Sequence, residues 1–113
     1  MLKRINRLST KRDITLVFNK GRASHGKGAV VKLRSNNLDK SRFAFVVSTK
    51  ISKKAVERNR IRRRMREVVR LVFDEIRTGY DVVVIAKAAA KDMNHKTVSA
   101  DLNQTLRKAR LIG

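Results

Sequence analysis

Three segments of the chain have the spacing of apolar residues that is typical of β-strands. Residues 29–33 (AVVKL) form a short β-branched run. Residues 42–48 (RFAFVVS) alternate, with two phenylalanines on one face and small or aliphatic residues on the other, so both faces are expected to be buried. Residues 80–86 (YDVVVIA) are almost continuously apolar, which predicts a central strand.

Three other segments have the spacing of amphipathic helices. The first is expected to begin after Thr10, which is placed to form a capping box with Asp13, and to end at Gly21. The second is expected to run from Lys53 to about Arg77, with Ser52 as its N-cap. The third closes the chain, and its apolar stripe consists of Val98, Leu102, Leu106 and Ala109.

These elements predict an α+β fold in a single domain, residues 1–113. With one further strand before the long helix, whose bounds the pattern does not give, the expected order is α-β-β-β-α-β-α, in a two-layer sandwich of helices on a small mixed sheet. The long helix lies between two strands and therefore forms a β-α-β crossover. The chain contains no proline and no low-complexity linker that would mark a domain boundary.

The long helix carries the densest cluster of charge, since six of the nine residues from 58 to 66 are arginine. At helical spacing, its core-facing stripe consists of Ile61, Met65, Val68, Val72 and Ile76. Its opposite side carries Asn59, Arg63, Arg66 and Arg70, which together form the arginine surface. Like charges one turn apart destabilise an isolated helix by roughly 0.2–0.5 kcal/mol per pair, and a phosphate backbone along this surface would reverse that effect.

The whole chain is strongly basic, with 29 Lys and Arg residues, 9 Asp and Glu residues and a net charge of +20. A compact domain with this charge repels itself, and a nucleic acid is the natural counter-charge. The basic residues form no tail and no Trp-anchored helix, which disfavours a membrane surface.

No apolar run reaches the ~20 residues that span a bilayer. Residues 1–9 lack the apolar region of a secretory signal, and the absence of cysteine fits the cytoplasm.

Groups that could carry catalysis are scarce and scattered. His25 and His95 lie far apart in polar segments, where exposed histidines are expected rather than an acid–base pair. Asp74 and Glu75 are adjacent and therefore project in different directions. No group of side chains has the spacing of a metal site, and there is no phosphate-binding loop or nucleophile elbow. The residues predict an RNA-binding protein with no catalytic or metal-binding residues of its own.

The central motif resembles the signature of the bacterial ribonuclease P protein family. It comprises residues 47–51 (VSTKI) and residues 55–67 (AVERNRIRRRMRE), with an Arg-Asn-Arg step inside the helix. Weaker similarities flank it in the same order as in the family: the first helix, the GYDVVVIA strand of residues 79–86, and the closing helix. The resemblance therefore extends over nearly the whole chain.

The resemblance implies a fold in which the crossover is left-handed, against the general rule for such connections. It implies a subunit of the ribonucleoprotein endonuclease that removes 5′ leaders from precursor tRNA. In that family the RNA subunit is the catalyst and holds most of the Mg²⁺, so the protein alone is expected to be inactive. The implied partners are the catalytic RNA and precursor tRNA, with no membrane and no obligate protein partner.

The resemblance also implies two sets of site residues. The resemblance implies eight RNA-binding residues, and Arg70 of the arginine surface completes the set. The eight are Ser48, Lys50, Arg58, Asn59, Arg60, Arg62, Arg63 and Arg66. The cleft for the single-stranded leader is lined by Ile14, Val17, Phe18, Val30, Lys32 and Val46. The sequence departs from the family where Ile14 and Lys32 replace common aromatic residues, and where residues 50–55 lack a Gly-Asn step.

Two other functions share the charge and size of this chain. A ribosomal or other structural RNA-binding protein would also lack catalytic groups, and it is distinguished by the absence of an Arg-Asn-Arg helix between two strands. A sequence-specific DNA-binding helix fits less well, because no helix-turn-helix partner precedes the arginine-rich helix.

Overall fold

The computed structural model describes residues 3–113, so residues 1 and 2 of the basic N-terminal segment lie outside it. The element order is α-β-β-β-α-β-α, which confirms the prediction. The bounds are α1 Lys11–Lys20, β1 Arg22–His25, β2 Ala29–Ser35, β3 Arg42–Val46, α2 Ala55–Val72, β4 Tyr80–Ala86 and α3 His95–Lys108. Short 3-10 helices occupy Arg4–Asn6, Phe73–Glu75 and Ala88–Asp92.

The four strands form one mixed sheet in the order β1-β2-β4-β3. Strand β2 is antiparallel to both of its neighbours, whereas β3 and β4 are parallel and are joined through α2. The predicted β-α-β crossover is therefore present, between adjacent strands. Its left hand stays a prediction of the family resemblance.

Helices cover both faces of the sheet. The larger core lies between α2, α3 and the face that carries Val31, Val82 and Val84, and this is the main sandwich. On the opposite face, α1 places Val17 against Ala44 and Val83. Both faces of β3 are thus covered, as the alternation of residues 42–48 predicts. Among residues 3–113, α1 is the one α-helix on the opposite face, and it leaves part of that face open.

Helix α2 begins two residues later than predicted. Its N-cap is Lys54, and no side chain caps it, so the prediction of Ser52 as N-cap and Lys53 as the first residue is wrong. The Ser52 hydroxyl instead accepts a hydrogen bond from the Lys54 amide at 3.2 Å. This local turn satisfies the amide before the helix starts and delays the first helical residue to Ala55.

The other end of α2 also differs from the prediction. The α-helix stops at Val72 and continues as the 3-10 turn Phe73–Glu75, rather than reaching Arg77. Ile76 is still buried, but it reaches the core from an extended segment. Within the helix Val69 is fully buried while Val72 is only partly so, because the sheet covers a wider stripe than the five predicted positions.

Helix α1 ends at Gly21, as predicted, although the expected capping box is not formed. The Thr10 side chain does not bond a backbone amide, and its hydroxyl donates to the Asp13 carboxylate. The amide of Gly21 closes the helix by donating to the Val17 carbonyl at 2.9 Å. A side chain at Gly21 would collide with the carbonyl oxygens of Val17 and Leu33, so this close approach to β2 requires glycine.

Strand β1 has no apolar alternation, and the sequence pattern did not place its bounds. It forms because every residue from Arg22 to His25 pairs with β2. The helix α3 stabilises it further, since the Ser24 hydroxyl donates to the Thr105 carbonyl at 3.1 Å and Arg22 donates to the Ala109 carbonyl at 2.9 Å. Within residues 3–113, no helix has the length and apolar character needed to cross a membrane.

Candidate RNA interface

The arginine surface lies on the side of α2 that faces away from the sheet. Asn59, Arg63 and Arg70 are exposed and Arg66 is half-buried, as the helical spacing predicts. A shallow concavity of about 370 Å³ opens on this side. It is lined by Val56, Asn59, Arg62, Arg63 and Arg66. Most of its rim can therefore donate hydrogen bonds to an anion.

Three arginines of α2 are bound to the protein itself. Arg58 donates to the Ser52 carbonyl at 3.0 Å, and Arg64 donates to the Met93 carbonyl at 2.8 Å. Arg60 lies 3.7 Å from the carboxylate of Glu57. Arg58 thus connects α2 to its preceding loop and Arg64 connects it to the segment before α3, whereas Arg60 pairs within the helix. Their guanidinium groups are partly occupied before any ligand arrives.

Two further arginines are paired within the exposed side of the helix. Arg62 donates to the side-chain oxygen of Asn59 at 2.6 Å. Arg70 makes two hydrogen bonds to Glu67, at 2.6 and 2.9 Å. These bonds lower the pKa of Glu67 and raise the pKa of Arg70, so both groups stay charged.

Arg63 and Arg66 keep their donors free. Within residues 3–113, Arg63 has no hydrogen-bond or ion-pair partner, and Arg66 contacts only the ring of Phe45, 5.9 Å from its centroid. A ring face takes none of the five N–H donors of a guanidinium. Of the predicted RNA-binding residues on the helix, these two are the best prepared to bind phosphate.

Ser48 and Lys50 lie on the connection between β3 and α2. Both are exposed, and the turn is closed by the amide of Ile51, which donates to the Ser48 carbonyl at 3.0 Å. The predicted RNA-binding residues thus fall on one continuous stretch of chain, from the end of β3 through most of α2.

A groove of about 350 Å³ runs beside β3. It is lined by Arg7, Leu8, Ser9, Ile14, Phe43, Ala44, Phe45, Val46 and Arg66. Strand β3 is an edge strand, and only its start is covered, where Arg7 bridges to Phe43 and the Leu8 amide donates to the Phe43 carbonyl at 2.8 Å. The remaining part of this edge borders an open cavity with an apolar floor and arginines at its rim.

The six predicted leader-cleft residues do not all meet in this groove. Ile14 and Val46 line it. Val17 has only 1% of its surface exposed, so it supports the cleft from beneath and cannot contact a ligand. Val30 lies on the same sheet face as Val46, in register with it across Ile85. These residues form an apolar row from β2 to β3.

Phe18 and Lys32 form a separate pair at the end of α1. Phe18 is 37% exposed, and the Lys32 ammonium lies 5.1 Å from its ring centroid. The same ammonium donates to the Phe18 carbonyl at 3.3 Å, where the last turn of the helix leaves carbonyls unpaired. Lys32 therefore orients the one aromatic side chain of this helix.

Six residues line the groove that the sequence did not assign to a site: Arg7, Leu8, Ser9, Phe43, Ala44 and Phe45. Arg7 and Ser9 belong to a basic segment without periodicity, which gives no sign that it docks on β3. Phe45 was assigned by alternation to the buried face, and it does pack against the larger core. Its ring reaches the groove only because β3 is at the sheet edge, and that position is set by tertiary structure.

A charged network holds β3 in place beside the groove. Asp81 accepts two hydrogen bonds from Arg42, at 2.7 and 2.8 Å, and one from Asn36 at 2.9 Å. The bond to Asp81 raises the pKa of Arg42 further above its ordinary value. Asp13 of α1 lies 3.5 Å from the same guanidinium. Asp81 and Arg42 thus connect β4 to β3 and, through Asp13, to α1.

The described residues offer no ligand set for a metal ion. No three His, Asp or Glu side chains between residues 3 and 113 come together as a possible site. His25 and His95 are both exposed, at the end of β1 and the start of α3. Glu57 lies 3.7 Å from Arg60 and 3.7 Å from Lys91, and a hydrogen bond with Ser52 together with these cations lowers its pKa.

Comparison with known proteins agrees with this architecture. The Ribonuclease P family model matches residues 2–110. The ribonuclease P protein component of Alkaliphilus metalliredigens is 35% identical over 107 residues, which cover 95% of this chain and 96% of that protein. The counterpart from Microcystis aeruginosa is 35% identical over 115 residues, covering 98% and 96%.

Solved structures give the same result. The RNase P protein of Staphylococcus aureus superimposes with a TM-score of 0.88 at 29% identity, over 96% of this chain and 98% of that one. The RNase P protein of Thermotoga maritima has a TM-score of 0.82 at 33% identity, over 90% and 96%. The family model, the relatives and the shared fold all cover the chain nearly from end to end, and the chain therefore belongs to the ribonuclease P protein family.

Proposed function

We propose that this chain binds the catalytic RNA of ribonuclease P through its arginine surface and holds the 5′ leader of precursor tRNA in the groove beside β3. As a ribonuclease P protein component, it is a subunit of an endoribonuclease complex and works with the ribonuclease P RNA. In this proposal the complex cuts the leader from precursor tRNA, and the RNA subunit performs the cleavage. We also assign the complex to the cytoplasm, in keeping with a chain that has no cysteine.

The observation that carries this proposal is the pair of arginines with free donors on α2. Arg63 and Arg66 lie three residues apart on the same side of the helix, and their guanidinium groups have no ion-pair partner within residues 3–113. Arginine binds phosphate oxygens with two parallel N–H donors, which suits an RNA backbone. Asn59, one turn away, adds a neutral group that can contact a base edge or a 2′-hydroxyl.

The groove suits a single RNA strand. Its floor of Ile14, Ala44 and Val46 is apolar, and its rim carries Arg7 and Arg66. Unpaired bases expose apolar faces that pack on such a floor, while the backbone stays near the cations. Arg66 also lines the concavity on the arginine surface, so the two sites adjoin at this residue.

Cleavage chemistry is assigned to the RNA. The described residues do not fit a dedicated Mg²⁺ site, because no three suitable ligands lie together. The proposed role of the chain is therefore to bind and orient two RNAs, and to reduce the repulsion between their phosphates. Mg²⁺ in this proposal is held mainly by the RNA subunit.

Reconstitution tests the proposal directly. Cleavage of precursor tRNA at low Mg²⁺ is measured with a bacterial ribonuclease P RNA alone, with the protein alone, and with both. We expect cleavage at the 5′ leader junction only with both. If the protein binds RNA but stimulates no ribonuclease P RNA, the proposed function is wrong and a structural RNA-binding role is favoured.

Two double variants that lose the same charge test which surface of the protein stimulates cleavage. Arg63→Ala combined with Arg66→Ala is expected to abolish most of the stimulation. Lys96→Ala combined with Arg107→Ala removes the same charge from exposed positions on α3 and is expected to retain it. Equal losses in both pairs would mean that total charge, and not the arginine surface, binds the RNA.

A further inference from the structure

Arg66 is the point at which the arginine surface and the groove meet. It is the one residue that lines both cavities. An RNA strand that passes from one site to the other therefore passes its guanidinium. The orientation of this single side chain affects both sites.

A row of aromatic rings ends at Arg66. Phe73 packs edge-on against Phe43 at 5.9 Å, Phe43 stacks on Phe45 at 6.2 Å with an interplanar angle of 18°, and Arg66 lies over Phe45 at 5.9 Å. Phe43 is buried and Phe45 is packed against the larger core. The last ring of the row is thus held by the core, and it presents one face to the guanidinium.

Within residues 3–113, Arg66 has no hydrogen bond or ion pair, so its orientation depends on the ring of Phe45. Arg64 and Arg70 of the same helix are held by a carbonyl and a carboxylate oxygen, and those bonds use N–H donors. Phe45 restricts the long Arg66 side chain without using any of them. A side chain that is already ordered loses less conformational entropy when it binds phosphate or stacks on a base.

We propose that Phe45 is a positioning residue, which holds Arg66 at the junction of the two cavities and so strengthens binding of the leader in the assembled enzyme. This inference rests on the proposed function. Phe45 acts through Arg66, and the RNA meets the guanidinium rather than the ring. Removing the Phe45 ring is therefore expected to weaken leader binding only while Arg66 is present.

A double-mutant cycle tests this in the reconstituted enzyme. The dissociation constants of precursor tRNA and mature tRNA are measured for wild type, Phe45→Leu, Arg66→Ala and the double variant. Phe45→Leu is expected to reduce the preference for precursor by about two- to tenfold, which corresponds to the cost of ordering one long side chain on binding. The same change in the Arg66→Ala background is expected to have no further effect.

Two other variants separate positioning from packing. Phe45→Tyr keeps the ring face and is expected to retain the preference. Phe73→Leu removes the ring at the far end of the row, and it is expected to lower the melting temperature while leaving the preference unchanged. If Phe45→Leu does not fold, Phe45→Met replaces it in the same cycle, because the volume is nearly kept.

The possible results are distinct. An undiminished preference in Phe45→Leu, or an equal loss with and without Arg66, would overturn the positioning role. A wild-type enzyme that binds precursor and mature tRNA equally would overturn leader binding in the groove, and the proposed function with it. A preference that depends on Phe45 only when Arg66 is present supports both.

Discussion

The arginine surface and the groove adjoin at Arg66 but are assembled in different ways. The arginine surface comes from one helix, and its residues from Asn59 to Arg70 are close in sequence. The groove takes residues from the N-terminal segment, α1, β3 and α2. The groove therefore exists only in the folded domain, whereas the arginine surface needs only the helix α2. Changes that loosen the fold should therefore damage leader binding before they damage contact with the catalytic RNA.

Among these predictions, loss of the hydrogen bonds to Asp81 is expected to have the largest effect. Asp81→Asn removes the charge that Arg42 and Asn36 bond, at a carboxylate that is 7% exposed. The free energy of unfolding is expected to fall by roughly 2–3 kcal/mol, because the guanidinium loses its charged acceptor. Urea unfolding measures this. Asp39→Asn, an exposed carboxylate in the neighbouring turn, is the control and should change little.

Phe18→Ala tests leader binding beside the groove. Phe18 is exposed on α1, outside the residues that line the groove, and is oriented by Lys32, so we expect it to contact leader bases. Loss of one base–aromatic contact corresponds to roughly 1–3 kcal/mol, and only the precursor has a leader. Precursor binding should therefore weaken more than mature tRNA binding. Val17→Ala, on the buried side of the same helix, should lower stability and affect both equally. Equal losses in Phe18→Ala would mean that Phe18 does not contact the leader.

Arg63→Ala, compared with Arg64→Ala on the same helix, tests whether the arginine surface binds RNA. Arg63 has free donors, whereas Arg64 is bonded to the Met93 carbonyl. The salt dependence of RNA binding should lose a slope of about 0.7–0.9 for each phosphate contact that Arg63 makes. Arg64→Ala removes the same charge and should mainly lower the melting temperature. An unchanged slope in Arg63→Ala would mean that this side of α2 faces solvent in the complex.

The smallest expected effect concerns the end of the arginine surface. Glu67→Gln releases Arg70 from its carboxylate partner, and RNA affinity at low salt should rise about twofold. In the wild type, Arg70 keeps the pKa of Glu67 below its ordinary value of 4.5. A carboxyl group whose pKa is lowered on folding stabilises the protein at higher pH and loses this contribution as the pH falls through that pKa.

The pH dependence of the melting temperature tests the ion pair between Glu67 and Arg70. Melting temperatures of wild type and Glu67→Gln should differ at neutral pH and converge as the pH falls below the ordinary carboxylate range. A constant difference would show that the Arg70 pair does not respond to this titration. Because both side chains are exposed, the effect should also weaken with added salt.

The difference between the two sites also explains which predictions succeeded. The arginine surface follows from helical periodicity alone, because 3.6 residues per turn determine which side chains share a face. The capping of α2 did not follow, since Ser52 was free to bond the amide of Lys54 and begin a turn instead. Such local alternatives differ by about 1 kcal/mol, which sequence patterns cannot separate.

The groove was predicted only in part for a related reason. Ile14 and Val46 line the same groove, whereas the sequence did not place Arg7 and Phe45 beside them, because that proximity depends on which strand lies at the sheet edge. Strand order is decided by the packing of α2 and α3 on one face and α1 on the other. Alternation within a strand identifies its two faces and gives no information about its neighbours.

By itself, the sequence determined the basic charge, the order of elements, the arginine surface and, through the central motif, the family. These properties are local or additive, so they can be read from spacing and composition. Tertiary structure alone decided which arginines are used within the protein and which stay free, and it brought Phe45 beneath Arg66. Hydrogen-bond partners distant in sequence meet only after the sheet has formed, and no periodicity along the chain records them.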